Sequence, residues 1–213
     1  MRFVLLILLI APIVHAHMTT DLAVGHRAGP IGIDDPNPRL SWRLEGDEPG
    51  LRQTASQVLV ATKRELLSPG KADLWDSGRS MSPLAQVYYH GKPLPSSSSL
   101  YWKVRTWSAD GVSEWSDVQH FVTGVMDGEP EAPYIAFDDN TPFHKERNKL
   151  HLPPARYYRT EFEPGRKVVS AIAHATALGI HELHVNGEKT GDAWFVPGWT
   201  NYRKRAYYNT YDV

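Results

Sequence analysis

No cysteine occurs anywhere in the 213 residues. Whatever fold forms must be held by core burial alone, which excludes the small disulfide-stapled scaffolds and argues against an animal-receptor ectodomain. An excess of charge is also missing: 23 Lys and Arg stand against 24 Asp and Glu. A nucleic-acid partner would call for a basic face, so none is expected. Long apolar runs are absent too. The one candidate, Phe3 to Val14, is about a dozen residues long, short of the roughly 20 that span a bilayer. No membrane partner is therefore expected. Asn-x-Ser/Thr glycosylation acceptors are missing, Asn140-Thr141-Pro142 having its threonine one place too early. There is no internal repeat and no heptad. The single low-complexity patch, the serines at 96–99, reads as a turn.

The short apolar run has another meaning. Arg2 supplies a positive n-region, the run is an h-region, and Val14-His15-Ala16 offers small and β-branched residues at a cleavage site. Residues 1–16 are read as a signal peptide and the chain as secreted. Removing Arg2 leaves 22 basic residues against 24 acidic ones, about −2 with histidine neutral. The full chain is 41% hydrophobic and 22% charged, the balance of an ordinary globular protein with room for one large domain or two small ones.

The text from 19 to 124 consists of short β-type runs broken by turn clusters. RLSWRL (39–44) alternates, with Leu40, Trp42 and Leu44 opposite arginine and serine, the period of a half-buried strand. LYWKVRTW (100–107) alternates again, Leu100, Trp102, Val104 and Thr106 opposing Tyr101, Lys103, Arg105 and Trp107. QVLVA (57–61) and QVYY (86–89) are further strands, and only residues 63–67 have helical flavour. GDEPG, DSG and ADG are turns. Roughly seven strands in about 100 residues predict a β-sandwich of the fibronectin type III kind. Residues 125–133, polar and rich in Gly and Pro, read as a linker. From 134 to 213 the β-text resumes: 156–163 and 167–177 read as strands, 179–186 ends at Asn186-Gly187, a type I′ hairpin signal, and 205–213 alternates. A strand at 205–213 is expected to lie unpaired unless more chain follows, so this second module reads as incomplete at its C-terminus.

The chemistry-bearing residues do not assemble into a catalytic set. Glycoside hydrolysis needs two carboxyl groups facing across a cleft. The available pairs, Asp34 with Asp35, Asp138 with Asp139 and Glu161 with Glu163, are neighbours in turns or on one strand face. HELH (181–184) has one residue too few for the zinc-protease helix and sits in strand text, where its two rings point apart. No Ser-His-Asp set stands at a nucleophile elbow, no glycine-rich phosphate loop follows a strand, and RKR (203–205) reads as a solvated strand start. What remains is aromatic. Trp194, Trp199, Tyr202, Tyr207 and Tyr208 crowd the last 20 residues. Exposed rings stack on the apolar face of a sugar, whereas rings near a domain border cement it. Trp194 and Trp199 are the candidate carbohydrate-binding residues. WSADGVSEWS (107–116) is similar to the tryptophan-arginine ladder of cytokine-receptor fibronectin modules, where its meaning is mainly structural.

Six phrases in order, NPRLSWRL (37–44), LWDSG (74–78), YWKVRTWSADGVSEWS (101–116), FVTG (121–124), ATALGIHELHVNGEKTGD (175–192) and VPGWTNYRKRAYYNTYDV (196–213), resemble the N-terminal region of bacterial and fungal α-L-rhamnosidases. At APYIAF (132–137) the chain departs from that pattern, Tyr134 standing where a tryptophan is common. The resemblance implies an all-β chain of two antiparallel sandwiches: a fibronectin-like module at 19–124, then the jelly-roll-like rhamnosidase N-terminal domain at 134–213. It implies that an (α/α)₆ barrel, absent here, carries the acidic residues that release terminal α-L-rhamnose with inversion, so no catalytic residue is assigned on this chain. The implied partner is a rhamnose-containing glycoside or polysaccharide. Calcium is the one cofactor the resemblance suggests, some relatives binding rhamnose on this sandwich with its help. A scaffold or sugar-binding platform is the expected role. A stand-alone carbohydrate-binding module and a fibronectin-type adhesion protein are the alternatives the residues leave open. Intact-mass measurement of protein exported by its native host is expected to give a chain beginning at His17; retention of residues 1–16 would refute the leader assignment.

Overall fold

A computed structural model of the chain describes residues 17–47, 49–109, 111–126, 128, 132–137 and 155–213. The leader at 1–16, most of 127–131, and Asp138 and Asp139 lie outside the described residues.

The first module is a two-layer sandwich. One layer pairs β1 (Met18–Val24), β3 (Arg39–Glu45) and β7 (Gln86–Tyr88) in the order β1-β3-β7. The facing layer runs β2 (Ile31–Ile33), β10 (Gln119–Thr123), β8 (Ser99–Ser108), β4 (Ala55–Ala61), β5 (Trp75–Asp76). Two short strands add to it, β6 (Ser80–Met81) on β4 and β9 (Gly111–Val112) on β8. Every pairing is antiparallel except β2 with β10. The alternation expected of β3 and β8 is present: Leu40 and Trp42 from one layer meet Leu100, Trp102 and Val104 from the other, with Phe121, Val58 and Val60 closing the core. β4 does not alternate because both its faces are covered. Val58 and Val60 enter the intersheet core, while Leu59 and Ala61 pack with Leu67 below the single 3₁₀ turn, Arg64–Leu66. A strand buried on two sides reads as a continuous apolar run, as QVLVA does.

Several buried polar groups of this module are paired through side chains, while Thr20 Oγ1 and Arg39 Nε have no hydrogen-bond partner among the described residues. The Trp42 indole N–H donates to Gln53 Oε1 at 2.8 Å, and Gln53 Nε2 donates to the carbonyls of Ser82 and Leu84. Thr106, fully buried, pairs with His17 Nε2 and Thr19 Oγ1. The serines of VSEWS act as a substitute strand for the free edge of β8. Ser113 Oγ accepts from the Thr106 N–H and Ser116 Oγ from the Val104 N–H, while the N–H groups of Ser113 and Ser116 donate back to the same two residues' carbonyls. A two-residue period of hydroxyls and amides thereby satisfies an edge that would otherwise attract another chain.

The second region is also all-β among the described residues, with two two-stranded sheets. β11 (Ile172–Thr176) pairs antiparallel with β14 (Tyr208–Asp212), and β12 (His184–Val185) with β13 (Glu188–Lys189). Asn186 and Gly187 join the latter pair with φ of 52° and 87°, the double positive φ of a type I′ turn. Three expectations are corrected. Residues 156–163 form no strand: their alternation finds no neighbouring backbone to pair with, and Tyr157 and Phe162 stay exposed. The strand expected over 167–177 is confined to Ile172–Thr176. The last strand is not unpaired, since β11 takes its edge and the Val213 N–H donates to the Ala171 carbonyl.

β14 also joins the two modules. The Tyr208 hydroxyl accepts from the Val125 N–H at 2.9 Å, and a Cβ at Gly124 would collide with it. Gly32, at φ 82°, faces Thr210 so closely that a Cβ there would lie 2.8 Å from Thr210 Oγ1. His174 lies edge-on to Tyr208 and bridges Ser97 Oγ at 2.8 Å and Thr210 Oγ1 at 2.9 Å. The start of the expected linker is thus tied down, Met126 N–H also donating to Ser96 Oγ.

Gln53→Leu leaves an indole N–H and two carbonyls unpaired in the core. It is expected to lower stability by on the order of 3 kcal/mol, read as a fall in the urea midpoint at constant slope. Burial holds the His174 pKa below the ordinary 6.5, so the docked state binds the proton less well than the open one. The contribution of His174 to docking at this border is therefore complete above about pH 6.5 and declines as pH falls below that value toward its lowered pKa. Protection of the Val125 amide, corrected for intrinsic exchange, should decline over that window and become pH-independent in His174→Gln; an unchanged decline in the variant would contradict this.

Candidate functional site

The last 20 residues divide by direction. Tyr208 and Tyr211 turn inward, one to the module border and the other, largely buried, to His181 Nε2 at 3.2 Å. Trp194 and Trp199 turn outward and are 73% and 91% exposed. The hairpin β12-β13 positions Trp194 through a chain of charges. Lys189 Nζ lies 3.6 Å from the centre of the indole, Glu182 Oε2 holds Lys189 at 3.1 Å, and Glu182 Oε1 pairs with His184 Nε2 at 2.8 Å. Hydrogen bonds from His184 and then Lys189 hold the Glu182 carboxyl below the usual carboxylate range. These groups are solvated, so the chain orients the indole more than it stabilises the fold. Phe195 follows at φ 57°, a backbone region sparse for aromatic residues, and the ring is exposed.

Trp199 begins a tight loop. Its ring stacks on Tyr202 at 6.5 Å and 15°. The Asn201 carbonyl accepts from the N–H groups of Lys204 and Arg205, Asn201 Oδ1 from the Arg203 N–H, and the Arg205 carbonyl from Thr200 Oγ1. Arg205 lies over Tyr207 at 5.2 Å. The basic triplet is therefore loop structure beneath aromatic rings. Each indole thus has one face backed, Trp194 by an ammonium and Trp199 by a phenol ring, and is otherwise exposed apolar area suited to stacking on a sugar ring.

Two of the carboxylates weighed from the sequence serve local contacts. Asp35 Oδ1 accepts the Asn37 N–H within a turn, and Glu161 pairs with Arg159 in the open. The two histidines of HELH part, His181 to Tyr211 and His184 to Glu182, but the strand expected over 179–186 is confined to His184–Val185, His181 making an isolated bridge to Val196. Among the described residues no group of three or more His, Asp or Glu stands together to hold a metal. The calcium expectation finds no fitting donor set there, and no step is derived through it. Sequence reasoning missed two contacts: the amine over Trp194 and the role of Tyr208. Only the first had a signal, since Lys189 lies just past the Asn-Gly turn and must face back across the hairpin.

Comparison with known proteins is consistent along the chain. Residues 19–127 match the family described as Rha78A-like, N-terminal immunoglobulin domain, and residues 166–213 match the alpha-L-rhamnosidase N-terminal domain. An alpha-L-rhamnosidase of Formosa agariphila is 36% identical over 189 residues, covering 86% of this chain and 20% of that protein. One of Streptomyces avermitilis is 42% identical over 109 residues, covering 50% of this chain and 10% of that one. The solved alpha-L-rhamnosidase from Dictyoglumus thermophilum superposes with a TM-score of 0.72 at 28% identity, covering 93% of this chain and 23% of its own. That from Aspergillus terreus gives 0.59 at 26% identity, covering 92% and 22%. The chain thus spans about a fifth of the curated relatives it matches most extensively. With its immunoglobulin-type sandwich followed by the rhamnosidase N-terminal domain, the chain belongs to the α-L-rhamnosidase family, corresponding to the N-terminal part of those proteins.

Proposed function

We propose that this chain is the non-catalytic front of a secreted enzyme that removes terminal α-L-rhamnose from a glycoside or polysaccharide, the hydrolysis itself being carried out by a following barrel domain. The observation that carries this reading is coverage: residues 19–127 and 166–213 match two N-terminal domain families, while the relatives matched over most of the chain are about five times its length. The local chemistry agrees, because the carboxylates of the described surface serve turns and ion pairs and do not face one another across a cleft. Burial of the His17 side chain against Thr106 supports a mature chain that starts at His17.

Within that frame Trp194 and Trp199 are the sugar contacts. Both rings are presented on braced loops, and an exposed indole held in place loses little entropy when a sugar stacks on it. Calorimetry with L-rhamnose, run with and without calcium, is expected to show a dissociation constant on the order of 1 mM, about −4 kcal/mol. Trp194→Ala should abolish the heat and Trp199→Ala should reduce it. Silence in the wild-type chain, or heat untouched by both substitutions, would remove the platform. The purified chain should not cleave an aryl α-L-rhamnoside; turnover that survives repurification would refute the non-catalytic assignment.

A further inference from the structure

The outer face of β8 carries a row of cations beside Tyr101 and Trp115, two rings that also pack against the small cluster of Leu59, Ala61 and Leu67. Lys103, Arg105 and Trp107 alternate along it, about 7 Å apart, opposite the buried residues. Trp115, from the VSEWS segment, has Lys103 Nζ at 4.8 Å and Arg105 Cζ at 4.7 Å from its ring centre. Arg105 Cζ also lies 5.0 Å from the centre of Trp107, which carries Arg79 at 4.9 Å. The row therefore reads Lys103, Trp115, Arg105, Trp107, Arg79, with cation and indole alternating, and Arg64 lies over Tyr101 at 5.6 Å at the strand's start.

This row is short of negative charge. The ion pairs among the described residues lie elsewhere, and no carboxylate of these residues comes within 4.0 Å of Arg64, Arg79, Lys103 or Arg105. Arg105 donates from Nε and Nη2 to a neutral acceptor, Gln57 Oε1, at 3.0 and 2.8 Å. Gln57 passes the interaction to Asp76 at 2.7 Å, whose oxygens also accept from the N–H groups of Gly70 and Gly78. Asp76 thus meets Arg105 through Gln57 and makes no direct ion pair with it. Burial and the Arg105 charge pull the Lys103 ammonium below its ordinary range, as expected where cations crowd without counter-ions. In a chain whose formal charge is −1 overall, the excess is local to this face.

We propose that the outer face of β8 is a docking surface for an acidic polysaccharide, whose uronate carboxylates meet the edges of Arg79, Arg105 and Lys103 while its sugar rings contact the intervening indoles. The proposal rests on the carbohydrate reading above. Arg105 lies between the rings of Trp107 and Trp115 and its Nε and Nη2 already serve Gln57, so the charges an incoming carboxylate meets are those of Arg79 and Lys103, with the Nη1 edge of Arg105 between them. A repeat of charge along a strand suits a polymer with a repeating anion better than a lone anion, and indole between charges suits C–H surface better than phosphodiester.

Electrophoresis of the whole chain through gels containing polygalacturonate, dextran or dextran sulfate tests this. Retardation is expected in polygalacturonate, none in dextran, and the effect should weaken with salt. The double variant Arg79→Gln/Lys103→Gln should bind polygalacturonate at least about tenfold more weakly, a hydrogen bond to a charged group being worth roughly that factor. Arg43→Gln, on the other layer, should bind as wild type. Since removing ladder cations could disturb the tryptophans, Arg79→Lys/Lys103→Arg, which keeps the charge, must retain retardation. No retardation in polygalacturonate, retardation in dextran sulfate alone, or an unaffected double variant would overturn the proposal. Trp194→Ala should leave polygalacturonate binding intact, so a failure of the rhamnose platform and a failure of this face give different patterns.

Discussion

Strand β8 is the constraint on which the rest of the first module depends. Its period of two sends Leu100, Trp102, Val104 and Thr106 into the core and Lys103, Arg105 and Trp107 out of it. Burying each large apolar side chain contributes about 1.5–3 kcal/mol, whereas sinking an unpaired cation costs several. A slip of one residue would exchange the two sets, so register against β4 and β10 is specified by that difference. The VSEWS segment then finishes what pairing leaves undone, its hydroxyls and amides taking the edge groups of Val104 and Thr106. Trp115, carried on the same segment, reaches the charged face as a consequence of that edge repair.

The two modules meet by a different kind of interaction. Their border is small and polar: a phenol oxygen on a backbone N–H, an imidazole between two hydroxyls, and two glycines where a side chain would separate the surfaces. Each such bond contributes about 1 kcal/mol, far below what the sandwich core supplies. Orientation, more than stability, is what this border provides.

Much of the first module was legible because its strands are half-buried and their partners lie within the same hundred residues. RLSWRL and LYWKVRTW announce their inner faces, QVLVA announces a strand whose two-sided burial only the packing shows, and Asn186-Gly187 announces a turn whose φ values only such residues adopt readily. The same logic failed at 156–163, where alternation is present but the described backbone offers no partner; a strand is a pairing, and periodicity alone cannot supply the second member. Trp194 and Trp199 were legible as exposed candidates by type and position, yet Tyr208 in the same cluster points the other way. Composition treats the three alike, and only the pairing of β14 with β11, which brings Tyr208 to Val125, separates them.

Sequence by itself determined the all-β class, the strand faces, the turn chemistry and the family, because each depends on short-range periodicity or on the order of local phrases. Tertiary structure decided which aromatics are free and which are structural, that the cations of β8 interleave with Trp107 and Trp115 without a carboxylate of their own, and that Gly32 and Gly124 are contact points between modules. Those facts join residues far apart in the chain, 83 positions in the case of Val125 and Tyr208, and no local pattern encodes a contact whose second partner is set by the packing of another layer.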